Sequence, residues 1–138
     1  SLSGLPRLES LYLFETSIGD QGAANLTNLK TLETLLLCNS KICDDALKGI
    51  AQLPRLKHLY LRDVNVTDAG VGMLAASRNL EILDMVNTKV TDRCVADLGK
   101  LEHLNSLSVH GTGISKAEVR KLKIARPELV MDILWNED

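Results

Sequence analysis

A period of 24 residues runs through this chain and decides most of what it can become, because a repeated unit changes the meaning of every residue inside it. Leu8, Leu32, Leu56, Leu80 and Leu104 recur at that step, and so do Leu11, Leu35, Leu59, Leu83 and Leu107 three positions later. Leu13, Leu37, Leu61, Met85 and Val109 follow at two further positions, then Ile18, Ile42, Val66, Val90 and Ile114. Near the end of each unit stand Leu26, Ile50, Leu74, Leu98 and Leu122.

Each unit carries two apolar periods. Around Leu11-Tyr12-Leu13 and its counterparts the apolar residues alternate, which predicts a short strand with one buried face. Farther along, Ala23, Leu26 and Leu29, and likewise Leu47, Ile50 and Leu53, step by three, which predicts a short helix or a 3₁₀-rich segment. All three prolines, Pro6, Pro54 and Pro127, fall in the link from helix back to strand, where a missing N–H costs no ladder bond. A unit this short cannot enclose its own apolar side, so neighbours stack and share one core. Stacked strands at ~4.8 Å predict a parallel sheet of five or six strands on the inner, concave side, with helices on the outer side. Aromatic residues make up only 3% of the chain, so this core rests on Leu, Ile, Val and Ala.

The run Leu-x-x-Leu-x-Leu-x-x-Thr-x-Ile-x-Asp, complete from Leu8 to Asp20 and nearly so from Leu80 to Asp92, resembles the leucine-rich repeat family over essentially the whole chain. Val66-Thr67-Asp68-Ala69-Gly70 is similar to the Ile-Thr-Asp-x-Gly variant of bacterial repeat proteins and of the cysteine-containing repeats of F-box-type substrate receptors. The resemblance implies an α/β horseshoe solenoid. The family's usual Asn or Cys after the strand is here Thr16, Ser40, Val64, Thr88 and Thr112, so a full asparagine ladder is not expected. Residues 1–138 read as one domain: a partial repeat 1–7, five repeats over 8–128 and a half-repeat cap at 129–138.

The two ends differ. Leu2 and Leu5 stand 24 residues before Leu26 and Leu29, so the chain opens inside a repeat, and a fragment or a first edge covered by another chain or subunit is expected. At the other end Leu129, Met131, Ile133 and Trp135 alternate before the acidic Asn136-Glu137-Asp138, the pattern of a capping unit.

With 16 Lys+Arg against 18 Asp+Glu, the formal net charge is −2, so nothing draws the whole molecule onto nucleic acid. No apolar stretch approaches the ~18 residues of a membrane span. Cys38, Cys43 and Cys94 are odd in number and irregular in spacing, which predicts a reducing compartment, cytoplasmic or otherwise intracellular. No zinc pattern and no Cys-x-x-Cys is present, and the expectation is no metal and no cofactor. His58 and His110 lie two strands apart, and there is no phosphate loop, Gly-x-Ser-x-Gly or His-Glu-x-x-His. An enzyme is not expected.

Asp20, Asp44, Asp68 and Asp92 form a periodic acidic row. A divalent-cation site is the sharper reading, but their place at the helix start favours a capping role, retained in the fifth unit by the Ser115-x-x-Glu118 capping box. The last helix presents Lys116, Arg120, Lys121, Lys123 and Arg126 against Glu118, a secondary basic face. A solvated surface is the favoured reading there, because Glu128 and Asp132 follow at once.

Alternation sends the residues flanking the buried strand leucines to the hollow. Tyr12, Phe14, Leu36, His58, Tyr60, Arg62, Asp84, Val86 and His110 are accordingly the predicted partner-binding residues. Three of the four aromatic residues of the chain are in this set, and core packing does not explain them. Tyr and Arg beside apolar neighbours have the composition of a protein-binding hot spot. Arg62 and Asp84 fall on adjacent strands and are expected to pair. The expected function is non-catalytic protein–protein recognition through the concave face. The alternatives are a structural subunit of a larger assembly and, on the F-box resemblance, the substrate-recognition part of a ubiquitin-ligase-type adaptor.

Overall fold

A computed structural model describes residues 7–133. Strand and helix alternate throughout: β1 (Ser10–Tyr12), α1 (Asp20–Ala24) with a 3₁₀ turn over Asn25–Asn28, β2 (Thr34–Leu36), α2 (Asp44–Ile50), β3 (His58–Tyr60) and α3 (Asp68–Leu74). Then come β4 (Ile82–Asp84), a 3₁₀ turn over Asp92–Cys94 leading into α4 (Val95–Gly99), β5 (Ser106–Ser108), α5 (Lys116–Ala125) and β6 (Val130–Asp132). The six strands form one parallel sheet in the order β1-β2-β3-β4-β5-β6. Its register steps by 24, with Leu11 beside Leu35, Leu35 beside Leu59, Leu59 beside Leu83, and Leu83 beside Leu107. The predicted leucine-rich repeat solenoid is therefore the observed fold, with the sheet on one side and the helices on the other.

The strands are short, yet the ladder runs on beyond them. The N–H groups of Leu13, Leu37, Leu61 and Met85 donate to carbonyls of Leu36, Tyr60, Asp84 and Ser108 at 2.8–3.0 Å. One position later but one, the chain turns through the left-handed region at Glu15, Asn39, Asp63, Asn87 and Gly111. Asn, Asp and Gly tolerate that conformation best, so this periodic column makes the turn from strand to helix. The hydroxyls just after it replace the asparagine ladder: Ser40, Thr88 and Thr112 donate to carbonyls three residues back at 2.6–3.0 Å. Val64 cannot do this and is buried in the core instead.

Leu35, Leu59, Leu83 and Leu107 have no exposed surface, and the helix residues Leu47, Ile50, Val71 and Leu74 meet them from the other layer. Each such side chain contributes roughly 1.5–3 kcal/mol through burial. Leu8, Leu11, Leu13 and Ile18 in the first unit are only partly buried. Leu129 closes the core after α5, whereas Leu2, Leu5 and the expectations for Trp135 to Asp138 lie outside the described residues.

The periodic aspartates depart from the capping expectation. Each stands in the first turn of its helix or 3₁₀ segment, where a negative charge favours the N-terminus. Their oxygens nevertheless accept bonds from the next unit: Asp20 from the Cys43 N–H, Asp44 from Thr67, Asp68 from Thr91 and Asp92 from Ser115, at 2.6–2.7 Å. Asp44 and Asp68 also take the Thr67 and Thr91 hydroxyls at 2.6 Å. The row therefore ties consecutive units together. Of the predicted capping box, Ser115 does accept the Glu118 N–H at 3.3 Å. The Ser115 N–H is taken by Asp92, so the reciprocal half is absent.

Candidate partner-binding face

The sheet presents rows of outward side chains, one from each strand. The middle row is Tyr12, Leu36, Tyr60, Asp84, Ser108 and Asp132, fixed by the parallel register. Tyr12 and Phe14 are 59% and 61% exposed, a large apolar surface to leave in water. With Thr34, Leu36, His58 and Tyr60 they line a shallow hollow of about 440 Å³ over the first three strands. Thr34 was outside the predicted site, but it is the register partner of His58. The Thr34 hydroxyl and His58 Nδ1 share a hydrogen bond of 3.1 Å, and His58 Nε2 lies 3.8 Å from a Glu81 carboxylate oxygen. The imidazole is thus held from both sides.

Beyond the hollow two of the predicted contact residues are buried. Asp84 is 2% exposed and Val86 4%, so neither offers a side chain to a partner, contrary to the expectation from strand alternation. Cys38 is likewise buried. Alternation fixes the side of the sheet but not what lies on top of it. Arg62 from the neighbouring strand end covers Asp84, with Nε and one terminal nitrogen each 2.6 Å from Oδ2. The other carboxylate oxygen accepts the Val86 N–H at 3.1 Å. The expected Arg62–Asp84 pair is present, and it holds the guanidinium charge more firmly than usual, chiefly through the hydrogen bond to Asp84. His110 is half-buried at the polar end, and its Nδ1 is buried with no hydrogen-bond partner.

The secondary basic face is also reduced. Lys121 pairs with Glu118, and Lys123 donates to the Leu129 carbonyl at 2.6 Å. Arg126 folds back on the fifth unit, reaching the carbonyls of Leu101, Glu102 and Leu104 at 2.7–3.3 Å and pairing with Glu128. Arg126 therefore fastens the last helix, while Arg120, Lys121 and Lys123 remain exposed.

Among the described residues no three His, Cys, Asp or Glu side chains are grouped to hold a metal ion. Burial pushes the Cys94 thiol up to about 12, which disfavours a reactive thiolate there. No helix among the described residues is long and apolar enough to cross a membrane.

A 24-residue rung of strand, left-handed turn and short helix, repeated along a parallel sheet, defines a leucine-rich repeat solenoid. A family model for the leucine-rich repeats of FBD-associated F-box protein At5g56370 matches residues 5–137, and the chain belongs to this leucine-rich repeat family. Comparison with curated proteins gave no match. Among solved structures, internalin C2 of Listeria monocytogenes is similar at a TM-score of 0.76 and 23% identity, covering 96% of this chain and 54% of that one. Listeria internalin InlF gives 0.73 and 22%, covering 99% and 37%. The Leptospira interrogans leucine-rich repeat protein LIC12759 gives 0.68 and 23%, covering 95% and 32%. The chain spans about half of the first of these proteins and a third of the others, and the likeness is one of fold. Domains of this family are generally protein-interaction modules.

Proposed function

We propose that the chain is a non-catalytic recognition module that binds a protein partner through the hollow over β1, β2 and β3. The observation that carries this reading is the exposure of Tyr12 and Phe14 beside Leu36 and Tyr60 on a rigid sheet. Exposed rings cost little to order when a partner docks, because backbone ladder bonds already fix the strands that carry them. His58 and Arg62 border the patch and add polar contacts at its rim. Residues 1–138 act as one unit in this reading. A second contact lies at the β1 edge, where the partly buried Leu8, Leu11, Leu13 and Ile18 differ from their fully buried counterparts Leu32, Leu35, Leu37 and Ile42.

The F-box description of the matching family favours one specific form of this reading, in which the module selects substrates for a ubiquitin-ligase-type adaptor. Photo-crosslinking tests the general proposal. A benzophenone side chain placed at Tyr12 should capture the physiological partner, whereas the same group at Ala96, exposed on α4, should not. Capture from Ala96 alone would move the site to the helical side and remove the proposal.

A further inference from the structure

The sheet face is acidic as well as ring-bearing. Each unit contributes to it the seven residues from just before the strand to the left-handed turn, Glu9 to Glu15 in the first unit and then at steps of 24. Glu9, Glu33 and Glu81 stand on one border, and Glu15 and Asp63 on the other. Asp84 and Asp132 belong to the middle row. Against these seven carboxylates stand two cations, Lys57 and Arg62, so the face sums to −5 within a chain of formal net charge −2. The remaining sequence therefore carries +3. Widening each unit by two residues on its N-terminal side takes in Arg7, Arg55 and Glu128 and leaves the face at −4.

Both cations of the narrower face are already engaged. Lys57 pairs with Glu33 at 3.5 Å, and Arg62 with Asp84 at 2.6 Å. Glu9, Glu15, Asp63 and Asp132 are exposed, and Glu81, half-buried, faces the partly exposed His58 at 3.8 Å. The excess charge is thus directed to solvent around an aromatic hollow.

We propose that the occupant of this face is a basic polypeptide segment, an inference that rests on the hollow being a recognition site. An apolar or cationic side chain of the segment seats on Tyr12, Leu36 and Tyr60, and further Lys or Arg side chains face the acidic borders. Three physical terms favour that occupant. Opposite charge speeds encounter and fixes orientation, whereas an acidic segment or a phosphate backbone meets like charge. The ring faces of Tyr12, Phe14 and Tyr60 attract guanidinium and ammonium groups as well as apolar ones. The borders are six residues of extended chain apart, about 20 Å, so a segment of similar length lying along the strands reaches both.

The test is to pan a phage library of random peptides of about twelve residues on the full chain and measure the affinity of those enriched. The expected peptides carry net positive charge and an aromatic or aliphatic anchor. Their binding to the unaltered chain should weaken about tenfold between ~0.05 M and ~0.5 M NaCl, and a similar loss should follow Glu9→Gln/Glu15→Gln/Glu81→Gln. The salt titration gives this answer without any variant, should the triple substitution disturb folding. Enriched neutral or acidic peptides that still lose binding on Tyr60→Ala would overturn the basic-segment inference and leave the recognition reading standing. Peptides indifferent to Tyr60→Ala, or no enrichment at all, would overturn the recognition reading and this inference together.

Discussion

Arg62 closes over Asp84: two guanidinium nitrogens reach one carboxylate oxygen at 2.6 Å, and the other oxygen accepts the Val86 N–H. The arginine is half exposed and the aspartate is buried, so the pair seals the sheet face where the aromatic hollow ends. Arg62→Ala leaves a buried carboxylate without its cation. Solvent at the arginine moderates the effect, and a loss of about 1–3 kcal/mol in urea unfolding is expected. Adding Asp84→Asn should recover most of it. A double variant less stable than Arg62→Ala alone would show that the pair is not the unit.

The aspartate row makes a second prediction. Asp44→Ala removes the acceptor of both the Thr67 N–H and the Thr67 hydroxyl, and should cost about 1–3 kcal/mol. Asp20→Ala removes a single backbone bond and should cost less. The effect should be cooperative across two units, because the carboxylate and its donors belong to different ones. In a double-mutant cycle of Asp44→Ala with Thr67→Val, strict additivity would contradict the ladder. Gly70→Ala should be disruptive at the same place, since an added Cβ collides with the Asp44 carboxylate.

The left-handed column predicts opposite effects at its two ends. Gly111 sits at φ +69 with the Asn87 side chain packed where a Cβ would go, so Gly111→Ala should lower stability by about 1–3 kcal/mol. Glu15 occupies the equivalent turn at φ 47 without the tolerance of Asn or Gly. Glu15→Gly should be neutral or raise stability by up to about 1 kcal/mol. Thermal unfolding of both variants checks the pair of signs.

Thiol chemistry supplies a pH prediction. Burial raises the Cys94 thiol from 9.0 to about 12, and Cys38 is also raised, chiefly by burial. A raised folded-state value means the native thiol keeps its proton where the unfolded one has lost it. Stability from these groups is present below pH 9 and falls as pH rises toward about 12. Replacing Cys94 with Ala should flatten the alkaline decline. Ellman's reagent should titrate exposed Cys43 quickly in the native protein, and Cys38 and Cys94 only on unfolding. Rapid native reaction of all three would refute the burial argument.

Much of this architecture is legible in the sequence because the leucine columns at steps of 24 report strand and core directly. Tyr12, Phe14, Leu36 and Tyr60 follow from the same alternation, and Tyr12 and Phe14 stay exposed on that face. Asp84 and Val86 do not follow from it. The long Arg62 side chain folds over Asp84, a placement that periodicity does not encode. Arg126 is a similar case: its charge reads as surface, while its geometry satisfies three carbonyls of another unit. The aspartate row has a recognisable period, but a helix start and a neighbouring unit compete for the same carboxylate, and the folded geometry settles which one takes it. Asn39, Asp63, Asn87 and Gly111 were a readable signal for the left-handed turn, set one residue ahead of the hydroxyl column.

The central claim is that the ring-bearing hollow is where a protein partner docks, and the affinity of the Tyr60→Ala chain for that partner tests it most directly. The account predicts a loss of about 2 kcal/mol or more, with secondary structure and unfolding midpoint close to those of the unaltered chain. An affinity unchanged by the substitution in a folded protein would contradict it.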